Sequence, residues 1–160
     1  MNTQVLQIAE QIKATHTAEP WYGKSATALL ESINPADAFE KPGGQHSILE
    51  LVWHMVNWKS FVISRLRKNN VPLQTFEDAD WRTLNHSDKS LWQQGLQQYH
   101  QAHNELVEVL QQQTDDLLPQ QVPGRTYTYH DLLHGIMHHD IYHLGQVAYI
   151  QKLLRAKGGE

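Results

Sequence analysis

Ser47-Ile48-Leu49-Glu50 sets a hydroxyl and a carboxylate at the spacing of a helix capping box. Behind it, Ile48, Leu51, Met55, Trp58, Val62 and Leu66 recur at intervals of three and four. That rhythm builds one apolar face of an α-helix and cannot build a strand, whose faces alternate. The helix is expected to run to about Lys68, ahead of Asn69-Asn70-Val71-Pro72.

The rest of the chain follows the same logic. A first helix is expected from about Thr3 to Thr15, with Val5, Leu6, Ile8, Ala9 and Ile12 as its stripe, and a shorter one around Ala26 to Ile33. Pro20, Pro35 and Pro42-Gly43-Gly44 mark the loops. Residues 72–86 read as an irregular connection anchored by Trp81, and a long helix should follow from Ser87 to about Gln113. Thr128-Tyr129-His130-Asp131 is a shorter capping box opening a last helix, which should reach Leu154 or Arg155 before Gly158-Gly159. Four main helices, two long connections and no strand pattern predict an all-α four-helix bundle, with residues 1–160 as a single domain.

Composition narrows the chemistry. Cysteine is absent, which excludes disulfides, thiolate-held zinc and a cysteine nucleophile. The first residues carry neither a basic nor an apolar leader pattern, and no apolar run matches a membrane span, so a cytoplasmic protein is expected. Net charge is −4, with Lys and Arg scattered. The one basic run, Arg65-Leu66-Arg67-Lys68, falls at a helix end, where cations complement the macrodipole. Neither nucleic acid nor a membrane is expected as a partner.

The chain has 11 histidines, five of them in the last helix. His130/His134, His134/His138 and His139/His143 all have the i, i+4 spacing that lets two imidazoles share a metal ion. Advancing about 100° per residue puts His143 with Leu132, Ile136, Val147, Ile150 and Leu154 within about 80° of His139. His130, His134 and His138 fall on the opposite half. The pair His139/His143 is therefore the inward one. A lone histidine on an apolar face is more often a hydrogen-bonded core residue than a ligand, and that reading stays open for each. In the Ser47–Lys68 segment His54 lies at the edge of the stripe made by Leu51, Trp58 and Phe61, a place from which it could complete a three-imidazole site. Three imidazoles leave a divalent ion one or two open positions, as catalytic sites do.

Nearby residues have competing roles. Gln146 lies about 20° from His139 and is placed to orient a ligand, with packing against another chain as the alternative. Glu50, one turn before His54, could accept its second ring N–H, but the cap competes for it and is favoured. Asp140 reads as a surface carboxylate at the edge of the face, and Tyr142 as a packing residue. The His139-Asp140-Ile141-Tyr142-His143 string differs from a zinc-protease motif by Asp for Glu and lacks its downstream histidine, so a protease is rejected.

These residues resemble the DinB-like family, also called DinB/YfiT-like. The likeness rests on His54 within Ile48-Leu49-Glu50-Leu51-Val52-Trp53-His54 and on His139-x-x-Tyr142-His143-x-Gly145-Gln146. Trp21-Tyr22-Gly23 and Tyr127-Thr128-Tyr129-His130-Asp131-Leu132-Leu133 support it, and it covers about residues 5–155 in order. The resemblance implies a four-helix bundle holding one divalent transition metal, zinc or nickel, on His54, His139 and His143. It also implies frequent homodimers. Relatives include thiol S-transferases that use bacillithiol and mycothiol-dependent isomerases. The expected function is a thiol S-transferase-like activity on a small-molecule substrate with a low-molecular-weight thiol. A metal-dependent hydrolase and a non-enzymatic, metal-stabilised stress-response module are the alternatives, and a pocket beside the metal would favour an enzyme. A second stripe in the last helix, Met137, Ile141, Leu144 and Ala148 beside Gly145, predicts a homodimer.

Overall fold

A computed structural model describes residues 2–69 and 71–157. The fold is all-α: α1 spans Thr3–Thr17, α2 Ala26–Glu31, α3 Ile48–Leu66, α4 Leu73–Asp78, α5 Ser90–Gln111 and α6 Tyr129–Lys157. Among the described residues there is no strand, only one antiparallel bridge between Gln121 and Thr128. No described helix is long and apolar enough to cross a membrane.

Both expected capping boxes form. The Ser47 hydroxyl accepts the Glu50 amide at 3.2 Å while the Glu50 carboxylate accepts the Ser47 amide at 3.0 Å. At the start of α6 the Asp131 carboxylate reaches the Thr128 amide at 3.0 Å, and the Thr128 hydroxyl accepts the Asp131 amide at 3.3 Å. The shorter Asp side chain still closes the box.

Helix ends depart from the pattern for local reasons. α3 stops at Leu66 because Lys68 turns left-handed, with φ 55°. The Asn69 amide then reaches the Ser64 carbonyl at 3.0 Å and the Lys68 amide the Arg65 carbonyl at 3.1 Å, a Schellman closure. α5 begins at Ser90 rather than Ser87 because Asp88 takes the Ser90 amide and hydroxyl. The 72–86 connection is not wholly irregular: α4 follows Pro72 and buries Phe76 against Phe61 at 5.4 Å between ring centres. α6 continues to Lys157, past the expected end, and Gly158-Gly159 lie outside the described residues.

The four long helices share their faces pairwise, α3 lying against α5 and α6, and α1 against α5 and α6. Two apolar clusters fill the interior. One joins α1, the end of α3, α5 and the start of α6 through Ile8, Phe61, Leu66, Leu106, Leu110 and Leu133. The other joins α2, the start of α3 and the later part of α6 through Leu30, Ile48, Leu51, Met55, Val147 and Ile150. α5 contributes Trp92 and Tyr99 to this second cluster, and at Gly95 it approaches α3 so closely that a Cβ would lie 3.1 Å from Trp53 Nε1. Gly135 and Gly145 in α6 have no such cause, since a Cβ at either meets nothing within 4 Å. Each still weakens its helix by about 0.5–1 kcal/mol relative to alanine. The second stripe of α6 is largely covered within the chain, with Leu144 buried and Met137 and Ala148 packed on the clusters.

Between the two apolar clusters runs a layer of buried polar side chains: His16, His54, Lys59, His103, Asp140 and His143. At its α1–α5 edge, His16 and His103 stack in parallel, 3.9 Å between ring centres, and His16 Nε2 meets His100 Nδ1 at 2.8 Å. Burial above all pushes His16 down to about 4 and His103 to about 3, with His100 and His16, respectively, adding to the effect. Both imidazoles are thus neutral when folded, whereas the unfolded chain protonates them near 6.5. Between pH 6.5 and about 4 the unfolded state holds more protons, so stability falls as pH drops through that window. The metal-free protein should melt several degrees lower at pH 5 than at pH 7. In His103→Leu the drop should be visibly smaller; an equal drop in both proteins would contradict the assignment.

Candidate metal centre

α3 and α6 face each other across the polar layer, and each turns imidazoles into the gap. His54 Nε2 lies 2.9 Å from His139 Nε2, and His143 Nε2 lies 3.1 Å from the same atom. Each of the three histidines offers one ligand nitrogen, all within 4.8 Å of one another. Among the described residues these three form the one cluster of metal-ligating side chains that meets this limit. His130 and His138 are exposed, as the wheel requires, and their rings lie tilted beside that of His134, 4.6 and 6.3 Å between ring centres.

The outer nitrogens explain why the inner ones converge. His54 Nδ1 points at Asp80, 3.1 Å from its carbonyl and 2.9 Å from its carboxylate. His143 Nδ1 is 2.6 Å from Gln146 Oε1. Both partners are acceptors, so both Nδ1 atoms carry the proton and both Nε2 lone pairs face inward. Burial pushes His54 below its usual range, and burial, partly offset by the Gln146 contact, pushes His143 down to about 4. Neutral imidazoles with inward lone pairs are the state a metal ion requires.

His139 decides between a metal and a hydrogen-bonded cluster. If its Nε2 carried a proton for the other two rings, its Nδ1 would be a bare acceptor. That Nδ1 is buried with no hydrogen-bond partner, and 3.9 Å from it stands Asp140 Oδ1, itself buried and unpartnered. Two acceptors facing each other there would be unfavourable. With Nδ1 protonated toward the carboxylate, all three Nε2 atoms present lone pairs to one point. Tetrahedral coordination at about 2.0–2.1 Å separates ligand nitrogens by about 3.3 Å, close to the spacing seen. The donor set fits a divalent transition metal, and His54, His139 and His143 are the residues that would hold it.

Other expectations fare unevenly. Gln146 turns its Oε1 to His143 Nδ1. Glu50 does not reach His54 and serves the α3 cap instead. Burial works to raise its carboxyl, but Lys41, the Ser47 amide and His46 outweigh burial and hold it below the usual range. Asp140 is not a surface carboxylate; it is 5% exposed and paired with Lys59, which is fully buried at 0%. Tyr142 is not packed in the interior; it is exposed, with its ring 5.0 Å from that of His143.

Several residues had no role in the sequence reading. Asp80 also accepts the Trp58 indole N–H at 2.6 Å, tying the α4–α5 connection to α3. Trp81 anchors that connection as expected, but by being sandwiched between rings, 3.7 Å from His46 and 4.0 Å from His54. Lys59 lies over the Tyr99 ring at 4.1 Å, and the Tyr99 hydroxyl stands 3.4 Å from Asp140. A signal for Lys59 existed: it falls on the stripe between Met55 and Val62, where a charge has no solvent.

Two cavities open beside the triad. One, of about 330 Å³, is lined by Trp58, Phe61, Tyr127 and Ile136 and reaches His139. The other, of about 560 Å³, is lined by Leu51, Trp81, Tyr142 and Tyr149 and reaches His143 and Gln146.

Residues 23–147 match the family model of the DinB superfamily. The chain belongs to that superfamily. No curated protein and no solved structure matches it. The three-histidine cluster on α3 and α6 is one that could hold a metal ion.

Proposed function

We propose that this DinB-superfamily protein is a metal-dependent enzyme whose activity resembles thiol S-transfer. The observation that carries the reading is an open triad: three imidazoles converge on one point, and cavities of about 330 and 560 Å³ reach it from two sides. A closed structural site would surround a metal with four protein ligands and exclude such space. A divalent ion bound there supplies a Lewis acid that lowers the pKa of a coordinated thiol or water.

The chain has no cysteine, so a sulfur nucleophile comes from a cosubstrate. In the reaction the thiol loses its proton to solvent, and its sulfur forms a bond to an electrophilic carbon. The carbon–leaving-group bond breaks as the leaving group departs with the electron pair. Gln146 and Asp80 hold the two flanking imidazoles in register, and Trp81, stacked on His54, limits water on that side.

The test begins with metal analysis of the purified protein, where about one equivalent of transition metal per chain is expected. Conjugation assays with several low-molecular-weight thiols and an aromatic electrophile should then give product that depends on metal. Metal-dependent ester or amide cleavage without conjugation would identify a hydrolase instead. A metal-loaded protein without either activity would identify a binding module.

A further inference from the structure

The two cavities differ in chemistry, and each has a helical glycine in its wall. Gly135 lines the His139-side cavity and Gly145 the His143-side cleft. Neither glycine is explained by packing within the chain, since a Cβ at either would meet nothing within 4 Å. Both have their full helical surroundings in α6, so no turn or left-handed backbone calls for glycine. What a side chain at either position would occupy is the cavity itself.

The His139-side cavity is walled by Trp58, Phe61, Val62, Tyr127, Leu132 and Ile136. Its one carboxylate, Asp131, gives Oδ2 to the Thr128 amide and hydroxyl in the α6 cap. Apart from His139, Asp131 and the Tyr127 hydroxyl, it offers a ligand apolar and aromatic surface. The His143-side cleft carries Gln45, His46 and Gln146 among its aromatics, and so offers hydrogen bonds as well as stacking. Cavities of a few hundred Å³ are of the size that holds small molecules.

We infer that the triad serves two separate subsites, resting on the two-substrate reading above. The His139-side cavity takes the uncharged aromatic or aliphatic body of the electrophile, and the His143-side cleft takes the polar thiol. Gly135 and Gly145 are the specificity-determining positions that keep each subsite open at the expense of helix stability.

The test uses the zinc-loaded full chain, with 2-naphthol as the apolar probe and glutathione as the polar thiol, and calorimetry to read each dissociation constant. Gly135→Leu should weaken 2-naphthol by about tenfold or more and leave glutathione within about twofold. Gly145→Leu should do the converse. Gly135→Ala, which adds only a Cβ in open space, should leave 2-naphthol binding within about twofold. Each alanine or leucine variant should melt a few degrees higher than the parent, because a helix former replaces glycine.

Failure of 2-naphthol to bind the parent, its unchanged affinity in Gly135→Leu, or equal loss of both probes in either variant would overturn the two-subsite assignment. A lowered melting temperature in both alanine variants would overturn the role given to the glycines. Selective losses as described, with no conjugation product from the parent protein, would uphold the two subsites and sink the transferase reading alone.

Discussion

Lys59→Met should cost the metal-free protein about 3–5 kcal/mol, the usual consequence of removing one member of a buried ion pair. Lys59 is fully buried, and its ammonium reaches the Asp140 carboxylate, which is itself almost wholly buried. Burial opposes the charge on both, and the Lys59 ammonium keeps the Asp140 carboxyl below the usual carboxylate range. Without Lys59, Asp140 would retain only the Tyr99 hydroxyl at 3.4 Å and the more distant His139 Nδ1 at 3.9 Å, and must either ionise without a cationic partner or take up a proton. Urea unfolding with a chelator present measures the change. The double variant Lys59→Met, Asp140→Leu should recover most of the loss, because removing both charges removes the uncompensated one. A loss below about 1 kcal/mol in the single variant would show that the pair is solvated in solution.

That pair also shows where sequence reasoning stopped. Asp140 stands about 100° from His139 on the wheel, at the margin of the apolar face. A carboxylate at a margin is ordinarily solvated, and it is buried here because α3 and α5 close over it with Lys59 and Tyr99. Lys59 itself sits squarely on the α3 stripe. A charge on each of two facing stripes is the pattern of a buried pair, but which residues face each other depends on tertiary packing. Asp80, and the stacking of the anchor Trp81 on His54, were illegible for the same reason: the α4–α5 connection carries no periodicity, so nothing local brings it to His54.

Legible features were the local ones. Ser47 with Glu50 and Thr128 with Asp131 are contacts across three residues, and both form. The inward position of His143 followed from the period of α6 alone. The partnership of His54 with the α6 pair came from a family resemblance, since spacing within one helix cannot say what a second helix presents. The helix ends at Lys68 and Asp88 depended on a left-handed residue and an Asx turn, which move boundaries by a few residues without altering the fold.

His143→Ala should abolish metal binding and with it the stability that metal confers. A metal present at about 1,000 times its dissociation constant stabilises the folded state by about 4 kcal/mol, because the unfolded chain does not present the site. Removing His143 leaves His54 and His139, two ligands on separate helices, and forfeits the pair one turn apart on α6. His54→Ala should have a similar effect, leaving the α6 pair without its partner across the gap. In the metal-free state the same substitutions should be mild, since each deletes a lone pair that otherwise crowds His139 Nε2 at 2.9 or 3.1 Å. Zinc-dependent melting shifts and metal content therefore separate the role of ligand from that of a core residue. The expected result is a large shift in the parent and in His134→Ala, whose imidazole lies on the outer face with His130 and His138, and none in His54→Ala or His143→Ala. Full metal content in both triad variants would exclude this centre, and loss in His134→Ala alone would move it to the outer face of α6.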